Sequence, residues 1–200
     1  MKKSILFTVL GLMLTSVVLD SCKKGEGDPF LSLHSRKGRL AGDWKMGSGS
    51  KDHYKSNSMT IDNTYDGTNV TSVQTINPFP AQTSTSAFTL EWKIEKDGTF
   101  ESIEVQGSGT NQQTTTLKGR WNFTGSVGDA KKKDHVIFYI DSQTIANSSG
   151  STTDTFTGDQ NSMVVELNTL KNKELVTKTT DTDSNSGSPV ESTSEYHFAQ

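Results

Sequence analysis

The chain has 200 residues, enough for one domain once a targeting segment is set aside. Its net charge of −3, with no concentrated basic face, argues against a nucleic-acid partner. Its single cysteine excludes an intramolecular disulfide, so the fold must be held by its core alone. With 30% hydrophobic residues, the composition suits a sheet with one polar face, or a small barrel, better than a helical core.

Residues 1–21 read as a cleaved signal helix. Lys2 and Lys3 form a positive start, and Ile5 to Leu19 is an apolar stretch. That stretch is shorter than the ~20 residues a helix needs to cross hydrocarbon, so it reads as a secretory signal rather than a permanent span. Leu19-Asp20-Ser21-Cys22 follows and resembles the lipobox of bacterial lipoproteins, with an aliphatic at −3 and a small residue before the cysteine. The resemblance implies cleavage before Cys22 and lipidation of its thiol. Buried acyl chains contribute about 0.8 kcal/mol per methylene, so two or more attach the protein stably to a membrane. Residues 22–38 are then a lipidated tether, and 39–200 are the folded domain. Lys23, where aspartate would favour retention in the inner membrane, points to the outer membrane, facing the periplasm or the cell surface. Phe30, Leu33 and Leu40 lie at near-helical spacing and predict one short helical turn ahead of the first strand.

From Gly42 onward the patterning is β. In Phe88-Thr-Leu-Glu-Trp-Lys-Ile-Glu95, residues Phe88, Leu90, Trp92 and Ile94 share one face, and the polar residues share the other. Asp97-Gly98 marks a hairpin. In the return strand the parity changes between Phe100 and Ile103, which predicts a bulge. Leu117, Gly119, Trp121 and Phe123 alternate in the next strand. His135 to Ile140 is apolar on both faces, Met163, Val165 and Leu167 build another strand that turns into Leu175–Lys178, and Tyr196 and Phe198 end the chain. Four Ser/Thr/Asn/Gly-rich stretches, 47–57, 106–115, 141–161 and 180–191, read as polar connections, the third long enough to hide a weak strand. Consecutive strands joined by turns predict an all-β antiparallel up-and-down meander of about eight strands.

Gly42-Asp43-Trp44 at the start of the first strand resembles the Gly-x-Trp motif that opens lipocalins, and Gly119-Arg120-Trp121 repeats its spacing. Together with the lipobox, the Trp92–Phe100 hairpin and the Leu167-x-x-Leu170-x-x-x-x-Leu175 turn, the layout resembles the lipocalin-like lipoproteins of Bacteroidetes over roughly residues 20–200. The resemblance implies a lipocalin-like β-barrel. In it Trp44 and Trp121 plug the closed end, and Gly42 and Gly119 let them approach neighbouring backbone. It also implies a basic residue from a late strand across the indole, for which Lys178 and His197 are the candidates.

Catalytic chemistry has little local support. The four histidines lack metal-ligand spacing, and no Gly-x-Ser-x-Gly elbow or phosphate-binding glycine loop occurs. Asp62–Gly67 and Asp181–Gly187 carry some of the oxygens of a calcium loop and read as solvated turns. Lys131–Lys133 reads as a solubilising hairpin tip. The chain is therefore expected to be a non-enzymatic, monomeric envelope module without metal or cofactor. Its barrel would bind a small apolar or amphiphilic ligand through Phe88, Leu90, Trp92, Ile94, Phe138 and Tyr196. The alternative is a structural or interaction module in which those residues pack as a filled core.

Overall fold

The structure, a computed structural model, describes residues 34–124, 134–159, 161–183 and 190–200. Cys22, Phe30, Leu33 and Lys131–Lys133 lie outside them. A helix, α1 (Arg36–Leu40), comes first, capped by the Ser35 hydroxyl, which accepts from the Gly38 amide at 3.0 Å. It begins within the span assigned to the tether, so the folded part reaches back past residue 39.

Twelve described strands follow: β1 (Gly42–Met46), β2 (Ser48–Lys55), β3 (Met59–Asp66), β4 (Asn69–Ile76), β5 (Gln82–Ile94), β6 (Thr99–Gln106), β7 (Gln113–Phe123), β8 (His135–Asn147), β9 (Gly150–Thr155), β10 (Ser162–Leu170), β11 (Glu174–Asp183) and β12 (Val190–Ala199). From β2 onward they form an antiparallel meander. It closes where β12 pairs with β2, Glu191 opposite Lys55 through Glu195 opposite Lys51. The stretch expected to be a 47–57 loop is mostly β2. The long 141–161 stretch is the end of β8 and its partner β9, which stands off the closed circuit.

Ten strands make that circuit, which corrects the expected count of about eight. The difference has a definite origin. β1 pairs with the C-terminal half of β5, Gly42 opposite Ile94 through Lys45 opposite Glu91, and with the end of β12. Around that end the ring is β1, β5, β6, β7, β8, β10, β11 and β12. Beyond Met46 the chain leaves β5, continues as β2, and the β3–β4 hairpin fills the gap. Barrel diameter grows with strand number, so the end holding β3 and β4 is the wider one.

The narrow end is packed solid. Trp44 is fully buried, and Trp92, Ile94, Phe100, Phe138 and Phe198 are nearly so. Ring centroids lie 4.2 Å apart for Phe100–Phe138 and 4.4 Å for Trp92–Phe198. Each such side chain contributes ~1.5–3 kcal/mol through burial. The indole N–H groups are satisfied by backbone, Trp44 by the Leu40 carbonyl and Trp121 by the Glu95 carbonyl, both at 2.8 Å. Helix α1 covers this end through buried Leu40, and the Lys37 ammonium lies 5.6 Å from the Trp121 ring centroid.

The bulge expected between Phe100 and Ile103 is absent. The β5–β6 ladder runs unbroken from Phe88–Gln106 to Ile94–Phe100. Phe100, Ser102 and Glu104 therefore face inward, and Ile103 and Val105 face outward. A true bulge sits elsewhere, where Lys118 opposes Ser142 and Gly119 opposes Ile140, leaving Asp141 as the extra residue.

The outer wall carries charges in cross-strand pairs: Lys45–Glu91 at 2.9 Å, Lys118–Glu101 at 3.2 Å and Arg120–Asp141 at 3.1 Å. A charged outer wall differs from the apolar outer band of a lipid-facing barrel. Among the described residues no helix is long and apolar enough to cross a membrane.

At Gly119 an added Cβ would drive into the backbone carbonyl of Tyr139, whereas at Gly47 its nearest neighbour would be the His197 carbonyl at 3.8 Å. Gly119→Ala is expected to lower stability by about 1–3 kcal/mol or more, as overpacking does. Gly47→Ala should change it by less than about 0.5 kcal/mol. Urea midpoints of the two variants check this, and equal midpoints would contradict the assigned close approach.

Candidate functional site at the wide end of the barrel

Residues directly opposed across an antiparallel ladder share a face, so the packed narrow end fixes which side chains point inward at the wide end. On β5 the row Leu90, Phe88, Ser86, Ser84 continues inward. Across it stand Val70 and Ser72 of β4, then Tyr65 and Asn63 of β3, then Asp52 of β2. From the other side come Ser194 and Tyr196 of β12 and Thr177 and Thr179 of β11. Ser102 and Glu104 of β6, with Leu117 and Thr115 of β7, complete the wall. The residues Gln82–Ser86 are exposed on both parities, so water reaches each face of the wall there.

The floor of this wide end is aromatic. Tyr65 stacks at a tilt on Phe88 with centroids 4.8 Å apart and meets Tyr196 edge-on at 5.9 Å. Both phenols donate to one oxygen of Asp52, Tyr65 at 2.6 Å and Tyr196 at 3.2 Å, while the Asn63 amide donates to the other oxygen at 2.8 Å. Burial first, and then the neighbouring Asp52 carboxylate, push both phenols above the ordinary tyrosine range. Three donors hold Asp52 as an oriented acceptor.

Glu104 is different. It is partly buried, it stands between Leu90 and Thr115 in the ladders, and among the described residues no donor reaches it. Burial raises its carboxyl above the ordinary glutamate range. One step below it, Ser102 is 5% exposed and faces the same interior, and on the far wall Thr177 is 2% exposed beside Tyr196. Neither hydroxyl has a hydrogen-bond partner among the described residues.

The six residues expected to line a pocket all face the interior, but they separate. Trp92, Ile94 and Phe138 are sealed in the packed end, Leu90 is buried where the two ends meet, opposite Glu104, and Phe88 and Tyr196 are half-buried at the floor of the wide end. Trp44 and Trp121, with Gly42 and Gly119, lie at the narrow end. Lys178 and His197 face outward and pair with Glu195 at 3.3 and 3.1 Å, so neither crosses an indole. That position is taken over Trp121 by Lys37 from the helix. The Asp62–Gly67 stretch is the end of β3 and a turn in which Asp66 accepts from the Thr68 and Asn69 amides, at 2.8 and 2.7 Å. Those bonds, with the Asn69 side chain foremost, hold Asp66 well below the usual carboxylate range. Among the described residues no three of His, Cys, Asp and Glu converge as metal ligands would. Asp52, Tyr65, Ser102 and Glu104 were not singled out from sequence. The signals were present in Asp66-Gly67, a hairpin dipeptide between Tyr65 and Val70, and in the even, four-residue spacing of Glu104 from Phe100, which puts both on one face.

Comparison with protein-family models, curated proteins and solved structures yields no match to this chain.

Because the folded-state pKa of Glu104 is raised, its ionisation opposes folding. The carboxylate costs stability above that pKa, and the cost vanishes as pH falls through it. Glu104→Gln should therefore have a higher urea midpoint than the parent near neutral pH. The two should converge once pH drops below the ordinary glutamate range. A variant that is no more stable at neutral pH would refute the desolvated placement of this carboxyl.

Proposed function

We propose that this chain is a lipoprotein of the bacterial envelope, related to the lipocalin-like lipoproteins of Bacteroidetes, anchored through acyl chains on Cys22. It sits on the outer membrane, facing the periplasm or the cell surface, and acts as a binding protein rather than an enzyme. Its barrel holds a small amphiphilic ligand at the wide end. The observation that carries this reading is the floor described above. Half-buried rings of Tyr65, Phe88 and Tyr196 stand over a solid plug, next to the inward carboxylates of Asp52 and Glu104. An apolar surface with a few convergent polar groups is the usual composition of a ligand site. The apolar part of the ligand rests on the rings, and its polar end meets Asp52 and Glu104.

The solid packing of Trp92, Phe100, Phe138 and Phe198 favours the alternative for the narrow half, which serves as scaffold whatever the wide half does. The split of the expected pocket into a sealed and an open part provides a test. The chain from residue 23 onward should bind the neutral probe N-phenyl-1-naphthylamine saturably and melt at a higher temperature in its presence. Phe88→Ala should weaken that binding about tenfold, equivalent to ~1.4 kcal/mol, with little effect on stability. Phe138→Ala should cost about 3–5 kcal/mol of stability, as other large core truncations do. Absence of saturable binding would leave only the structural module.

The anchor is tested separately by mass spectrometry of the protein from a bacterial membrane fraction. The expected mature chain begins at Cys22 and carries diacylglycerol on its sulfur. A free thiol in a chain still starting at Met1 would overturn it.

A further inference from the structure

The strands segregate charge by side. Every lysine, arginine and histidine within them has outward parity, while the carboxylates of Asp52 and Glu104 point inward and Asp181 adds a third nearer the rim. On the outside the cations find partners, as in Lys178–Glu195 at 3.3 Å and Lys93–Glu101 at 3.6 Å. On the inside no described strand supplies a countercharge. A concave site lined by one sign of charge with low-dielectric walls focuses potential on its contents. The interior of the wide end is therefore a negative cup on an aromatic floor.

We infer that the ligand of this cup is an organic cation, an ammonium group carried on an apolar body. The inference rests on the binding reading above and adds the chemical class. Three independent features converge on it. The first is the unpaired Glu104: a carboxylate that no described donor reaches, standing between Leu90 and Thr115, is completed by a positively charged donor. The second is the pair of hydroxyls, Ser102 at 5% and Thr177 at 2% exposure, both facing the interior and both without a hydrogen-bond partner among the described residues. Each can accept from an ammonium N–H. The third is the aromatic floor, because ring faces attract cations within about 6 Å and the Tyr65–Phe88–Tyr196 group offers several. A fatty carboxylate or sulfate would meet two inward carboxylates and no inward base. A neutral ligand would leave Glu104 uncompensated.

The test compares three single-chain amphiphiles below their micelle concentrations: decylammonium, decyl sulfate and decyl glucoside. They share a tail and differ in headgroup charge. The protein is the chain from residue 22 with Cys22→Ser, so that no acyl chain competes for the site, and binding is read by calorimetric titration. Decylammonium should bind at least about tenfold more tightly than the other two, a difference of ~1.4 kcal/mol. That preference should disappear in Glu104→Gln and persist in Glu104→Asp, which keeps the charge. It should also persist in Glu101→Gln, a neighbour on the same strand that faces outward. Melting curves of all three variants confirm that they are folded, and should Glu104→Gln fail to fold, Asp52→Asn reads the same preference. Equal binding of the three amphiphiles would overturn the cation while leaving the ligand reading intact. So would a preference for the sulfate, or an ammonium preference that survives both Glu104→Gln and Asp52→Asn. Failure of all three to bind saturably would overturn both.

Discussion

Four opposed pairs, Gly42 to Lys45 against Ile94 to Glu91, hold the first strand to the middle of the chain, and the rest of the barrel depends on them. They complete the eight-stranded ring, they set Trp44 directly opposite Trp92 across the ladder, and they set the parity of β5. Since side chains alternate strictly along a strand, that parity decides what faces inward some 20 Å further up the wall, at ~3.3 Å per residue. A slip of one residue here would turn Phe88 and Leu90 to water and bring Thr89 and Glu91 inside. The register is protected by the sealed packing it creates. Trp44, Ile94 and Phe138 have no other surface on which to bury themselves.

Above that seal the interior changes character within two residues of strand. Phe100 is core, Ser102 is buried with an unused hydroxyl, and Glu104 is a desolvated carboxylate. Polar groups placed so deep oppose folding, and the aromatic plug below them offsets the cost. Asp52 shows the other way to keep an inward carboxylate, by giving it three donors. One acid is tied to the wall and the other is left open.

The same gradient explains what could be read from sequence. Where the interior is dry, alternation is strong: the Phe88–Ile94 row, the Asp97-Gly98 hairpin and the Leu117–Phe123 strand all fall where their patterns place them. Where the interior is wet, the rule that apolar faces in no longer holds. β2, β3 and β4 direct Asp52, Asn63 and Ser72 inward, so the polar run around Asp52 looks like a loop and two strands escape the count. The false bulge has the same cause. Ile103 and Val105 are apolar but face outward, and Ser102 and Glu104 are polar but face inward, so hydrophobicity alone assigns them to the wrong sides. The open acidic layer stayed hidden for that reason, and only the pairing register exposes it.

The β3–β4 hairpin is an insertion between a strand that departs at Gly47 and one whose lower half, from Glu91 to Ile94, is already committed to β1. The bore of the barrel and the integrity of its base are therefore separable properties. Lengthening, shortening or exchanging that hairpin would recalibrate the aperture and leave the hydrophobic keystone untouched. A chain built this way can change the width of its barrel by altering one local segment, without renegotiating the contacts that let it fold.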